Sequence, residues 1–168
     1  MNFDRATELR VSVLLDGRPA SRSELVLWLM DPKRLLPHLL SGEQLQSQLP
    51  GQFLYLPRPL KLPGITIAPQ VCFRAVWQTS FLGISLIEYR LPGLPSLERI
   101  ACYRFIAELH AVEGAFLIRA NASLTLDIGG VGLSLPLQFL NFLGDRALAL
   151  IFNRLEQRCI TNLRVLPQ

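Results

Sequence analysis

Tyr89 and Tyr103 are the side chains of this 168-residue chain best suited to a single polar contact inside an apolar pocket, because each carries one hydroxyl on an aromatic body. Catalytic signatures are missing around them. The sequence holds no Gly-x-Ser-x-Gly elbow, no His-Glu-x-x-His pair and no glycine-rich phosphate loop at a strand–helix junction. Gly129-Gly130-Val131-Gly132 precedes a helix that starts near Pro136 and has no lysine beside it, so it reads as a turn. His38 follows Pro37 in a short helix and His110 falls on the polar side of a strand; both read as solvated or hydrogen-bonded residues rather than general bases. Arg74 with Glu88, and Arg104 with Glu108, are spaced to pair across or along a sheet, where exposed pairs add little stability. No catalytic residue is assigned. Cys72, Cys102 and Cys159 are far apart and odd in number, without a Cys-x-x-Cys pair. Buried free thiols in a reducing compartment account for them, and no recurring spacing supports a metal site.

The elements that must position these residues are legible from periodicity. Residues 7–15 alternate, with Leu9, Val11, Val13 and Leu15 on one face, and Asp16-Gly17 ends that strand as a turn. Ser21-Arg22-Ser23-Glu24 fits a capping box opening a helix over 24–30. Asp31-Pro32 opens a second helix, with proline where its missing N–H costs nothing. Prolines at 50, 57, 59, 63 and 69 divide the middle, which reads as strands over 43–48 and 51–56 and then a loop to Gly64. Strands follow over 65–78, 82–90, 98–111 and 114–128, giving seven in all. In the last, Phe116, Ile118, Ala120, Ala122, Leu124 and Leu126 share one face. One long helix closes the chain, with Leu140, Leu143, Ala147, Ile151 and Leu155 along a continuous apolar stripe. Gly144 within it either permits close packing or marks a bend.

Composition bounds the function classes. Half the residues are apolar and 18% are charged, against about 25% charged in an average domain. No apolar run approaches the roughly 20 residues that span a bilayer, and the N-terminus lacks a signal-peptide layout, so the expected location is cytoplasmic. The net charge of +4 comes from fifteen arginines and two lysines scattered along the chain, which argues against a nucleic-acid partner. Lys33, Arg34, Arg58 and Lys61, accompanied by Leu35, Leu36, Leu60 and Leu62, read either as a solvated rim or as a peripheral membrane contact. No linker, repeat or composition shift divides residues 1–168, so one domain is expected.

The order strand, two short helices, six strands, long C-terminal helix resembles the START-like (SRPBCC) superfamily. The phrases Ser23–Pro32, Ile67–Trp77 and Leu135 to the C-terminus are similar to a family of unknown function within it, found mainly in cyanobacteria and plastids. The resemblance implies an α+β helix-grip fold, a seven-stranded curved antiparallel sheet wrapped around the C-terminal helix with a cavity between them. Superfamily members bind lipids, sterols, hormones, pigments or quinones, and some are cyclases. The fold alone assigns no reaction.

Within that frame the expected ligand-binding residues are Tyr89, Tyr103, Phe105, Ala107, Phe116, Ile118, Ala120, Ala122, Phe139, Leu143 and Ala147. Aromatic side chains line the space and small ones leave it open; in the opposite case Phe139 and Phe142 fill it. Three functions fit: binding or carrying a hydrophobic small molecule (lipid, pigment or quinone-like), with no cofactor; a cyclase-type enzyme; or an interaction protein with a filled core.

Overall fold

The computed structural model describes residues 1–40, 44–127, 129 and 137–167, the side chains of Leu137, Phe139 and Leu143 excepted. Its frame is an antiparallel seven-stranded sheet. In chain order the elements are β1 (Asn2–Ser12), β2 (Leu14–Leu15), β3 (Arg18–Pro19), α1 (Arg22–Leu29), α2 (Pro32–Leu39), β4 (Leu45–Ser47), β5 (Gln52–Tyr55), β6 (Leu60–Leu62), β7 (Ile65–Ile67), β8 (Gln70–Gln78), β9 (Phe81–Arg90), α3 (Pro95–Ile100), β10 (Ala101–Val112), β11 (Ala115–Leu126) and α4 (Leu137–Asn162). The large sheet runs β1-β11-β10-β9-β8-β5-β4, while β2-β3 and β6-β7 are separate hairpins.

Local chemistry explains the beginning of the chain. β1 is longer than its alternation predicts, because it pairs with β11 from Asn2↔Thr125 to Ser12↔Ala115. The run stops at Val13, whose N–H donates to the Gly114 carbonyl at 2.9 Å and whose carbonyl accepts from Ala20 at 2.9 Å. Asp16 and Gly17 then turn with φ of 52° and 72°, the left-handed pair that a two-residue hairpin requires. The capping box forms as expected: Ser21 Oγ accepts from the Glu24 N–H at 3.2 Å, and Glu24 Oε2 accepts from the Ser21 N–H at 2.9 Å. Arg18 adds an ion pair to Glu24 at 2.6 Å, which with the cap lowers that carboxyl to about 2.

The middle differs from expectation in two places. The strand expected over 65–78 is split by Pro69 into β7 and β8, and the expected loop contains β6. Leu60-Lys61-Leu62 and Ile65-Thr66-Ile67 pair across Pro63-Gly64, with Gly64 at φ 78°. The other departure is α3, where a strand is expected from residue 98; Pro95 sits in its first turn, where proline is preorganised for helix.

α4 crosses the sheet at its β1 edge. Glu156 Oε1 on the helix accepts a hydrogen bond from Thr7 Oγ1 at 2.7 Å. Gly144 meets the ring of Phe3: a Cβ there would stand 2.5 Å from Phe3 Cε2. Close packing is therefore the reason for this glycine.

Candidate functional site

Two apolar regions form beneath the helices. At one end Leu25, Trp28 and Leu29 from α1 and Leu35, Leu36 and Leu39 from α2 pack onto Val11, Phe53, Phe73, Leu82 and Phe116. Further along, α4 lays Leu148 and Phe152 on Ala107, Ala120 and Ala122. The β6-β7 hairpin packs against α4, burying Leu60, Leu62 and Ile67 beside Leu91 and Ala147.

Between these contacts lies a cavity of about 310 Å³, at the small end of ligand-pocket sizes of about 300–1,000 Å³. Its walls come from α2, β5, the β6-β7 hairpin, β8 to β11, α3 and α4. Leucine and isoleucine dominate them. Among the described lining residues polarity is confined to Tyr55, Tyr89, Tyr103, Cys159 and three arginines, Arg58, Arg154 and Arg158. Among the described lining residues only Arg58 is exposed, so it marks the mouth.

The polar groups are unequal. The Tyr89 hydroxyl donates to the Ala101 carbonyl and its ring meets Tyr103 edge-on, 6.1 Å between centroids. Its phenol is raised by burial, partly opposed by a backbone hydrogen bond at Tyr103. Burial pushes the Tyr103 phenol well above its ordinary value of 10.0, so it stays a neutral hydrogen-bond donor at any physiological pH. Burial likewise raises Tyr55, while the Arg158, Arg154 and Arg58 guanidinium groups pull it back. Cys159 is buried and its thiol is pushed up to about 12 by burial and by Glu156.

Six of the expected ligand-contacting residues line this cavity: Tyr89, Tyr103, Phe105, Ala107, Ile118 and Ala147. Phe116, Ala120 and Ala122 do not. Phe116 is fully buried in the packed end. Ala120 and Ala122 are small because α4 rests on them: the room they leave is taken by Leu148 and Phe152. The side chains of Phe139 and Leu143 lie outside the described residues. Phe142, the other candidate to fill the space, is 51% exposed.

Periodicity overlooks the β6-β7 hairpin, the α2 leucines and the α4 arginines Arg154 and Arg158, whereas Arg58 stands at the rim as expected. The alternation of Leu60, Leu62, Ile65 and Ile67 about Pro63-Gly64 is the hairpin signal that could have revealed the first.

Several other expected contacts rearrange. Glu88 pairs with Arg90 at 3.1 Å instead of Arg74, and Glu108 with His110 at 2.9 Å instead of Arg104. Both pairs join residues i and i+2, which share a side of one strand. His38 packs edge-on to Trp28, 5.4 Å between centroids. Arg34 lies over the Trp28 ring at 3.8 Å. Leu35, Leu36, Leu60 and Leu62 point inward, so the neighbouring cations stand without those apolar partners at the surface. All three cysteines are free; Cys159 is buried, Cys72 half-buried and Cys102 exposed.

A seven-stranded antiparallel sheet carrying a long C-terminal helix, with two short helices after the first strands, is the α+β helix-grip fold. The chain is similar across 94% of its length to a structure from Bacillus thuringiensis, at TM-score 0.52 and 11% identity, covering 96% of that chain. Norcoclaurine synthase from Thalictrum flavum aligns at TM-score 0.48 and 13% identity, over 96% of this chain and 95% of its own. The di-domain ARO/CYC StfQ from the steffimycin biosynthetic pathway also aligns at 0.48 and 13%, over 95% of this chain and 50% of its own. No family model and no curated protein matches the sequence. At these identities the likeness concerns the fold.

No helix among the described residues is long and apolar enough to cross a membrane.

Proposed function

We propose that this protein binds an apolar small molecule, lipid-, pigment- or quinone-like in character, in the cavity between sheet and C-terminal helix, and carries it unchanged. The observation behind this reading is the cavity wall itself: about 310 Å³ enclosed by apolar side chains with a few hydroxyls. Such walls reward transfer of apolar surface from water at about 25 cal/mol per Å². Tyr103 offers the ligand one orienting contact, since its hydroxyl donates to no described residue.

Chemistry on the ligand has less behind it. No histidine, lysine or carboxylate occurs among the described lining residues. Tyr103 and Cys159 are shifted upward, away from the near-neutral values that acid–base catalysis exploits. Loading from an anionic membrane would rest on cations such as Lys33, Arg58 and Lys61 alone, at about 1 kcal/mol each.

Titration with N-phenyl-1-naphthylamine, a neutral apolar fluorophore, tests the reading. One saturable site per chain is expected; no binding up to the solubility limit of the probe would overturn it.

A further inference from the structure

Three arginines of this protein face a carboxylate: Arg18 meets Glu24, Arg90 meets Glu88 and Arg119 meets Glu8. The three that line the cavity do not. Among the described residues, no carboxylate stands within 4 Å of Arg58, Arg154 or Arg158. Arg154 and Arg158 are four residues apart on α4, so they share a helix face, where like charges repel. Glu156 lies between them in sequence but is turned to β1, accepting from Thr7 at 2.7 Å. Arg154 donates from Nη1 and Nη2 to the carbonyls of Arg58 and Pro59 at 2.6 and 2.9 Å. It thereby fastens the loop after β5 to the helix, and Arg58 and Arg158 line the same cavity. The Arg158 guanidinium donates to no described group, and neither does the Tyr55 hydroxyl.

We propose that the ligand is an anionic amphiphile: its apolar body fills the cavity, and its carboxylate or phosphate-monoester head group is held at the mouth by Arg158 and Arg58 beside the Tyr55 hydroxyl. This rests on the binding function proposed above. A planar guanidinium matches either oxyanion with two parallel hydrogen bonds. The anion also removes the repulsion between the two arginines on α4. All three guanidinium groups act on the Tyr55 phenol, so their fields converge at the place where the head group sits.

Calorimetric titration with decanoate, decyl phosphate and decanol separates this claim from the one beneath it. The expected result is that at least one anion binds more than about tenfold tighter than decanol, the range of a charge-assisted hydrogen bond. The tighter of the two anions identifies the head group. Arg158→Gln then abolishes the preference, so that this variant binds the anion and decanol within about threefold of one another. Arg58→Gln gives a second variant on a different element, and circular dichroism checks that both fold. Equal binding of all three compounds overturns the anionic proposal and leaves the apolar cavity standing. So does an anion preference that survives both substitutions, because the anion is then held elsewhere. Failure of all three to bind removes the underlying function as well.

Discussion

α4 makes two contacts of similar composition and opposite outcome. On the β1–β11 side, Phe152 and Leu148 sit against Ala107, Ala120 and Ala122, and Gly144 against Phe3. On the hairpin side, Ala147 and Ile151 face the cavity, with the arginines farther along. Both surfaces are apolar, and Ala107, Gly144 and Leu148 touch both. The difference is pairing of sizes: large helix residues meet small strand residues on the first side, so the gap closes. On the second side a small helix residue, Ala147, stands opposite a covering hairpin, so space remains. Hydrophobicity alone therefore does not tell a core from a container. Complementarity of volumes does.

Breaking the filled contact carries the largest effect. Phe152→Ala removes a ring that is 2% exposed and lies 6.5 Å from the Phe105 ring. A loss of about 3–5 kcal/mol is expected in urea unfolding. A loss under about 1 kcal/mol would mean that this side is as loosely packed as the cavity. Next comes Gly144→Ala. Alanine favours helix by about 1 kcal/mol, yet its Cβ collides with Phe3, and overpacking costs about 1–3 kcal/mol. Net destabilisation is expected in the parent, whereas in a Phe3→Ala background Gly144→Ala should stabilise; stabilisation of the parent by the single substitution would remove the close approach from the account.

The smallest effect concerns Cys159, which belongs to the packed end and to the cavity wall at once. Its thiol is raised from 9.0 to about 12 in the folded chain, so folding favours the protonated form. That contribution is complete below pH 9, where the unfolded thiol is also protonated, and is lost as pH rises from about 9 towards 12. Cys159→Ala should flatten the alkaline fall in denaturation midpoint relative to the parent. An unchanged slope would show that Cys159 contributes none of it.

How much of this was legible follows the same division. The capping box at Ser21 and Glu24, the Asp16-Gly17 turn and the alternation of β11 are local patterns, written in neighbouring residues. The face of β11 was legible too, since Phe116, Ile118, Ala120 and Ala122 all point inward and are buried. What lies above each of them was not, because it depends on where α1 and α4 cross the sheet. Ala120 and Ala122 could have been open wall or landing site, and α4 makes them the latter. The arginines at the mouth come from the loop after β5 and from α4, nearly a hundred residues apart, and no spacing in the sequence joins them.

The hairpin side of α4 acts as a container. Titrating N-phenyl-1-naphthylamine into the parent chain and into Ala147→Phe, with circular dichroism to confirm that both fold, tests it most directly. The new ring would occupy the cavity, so one saturable site in the parent and at least about tenfold weaker binding in the variant is the predicted result. Equal binding by the two chains would place the probe elsewhere and contradict the account.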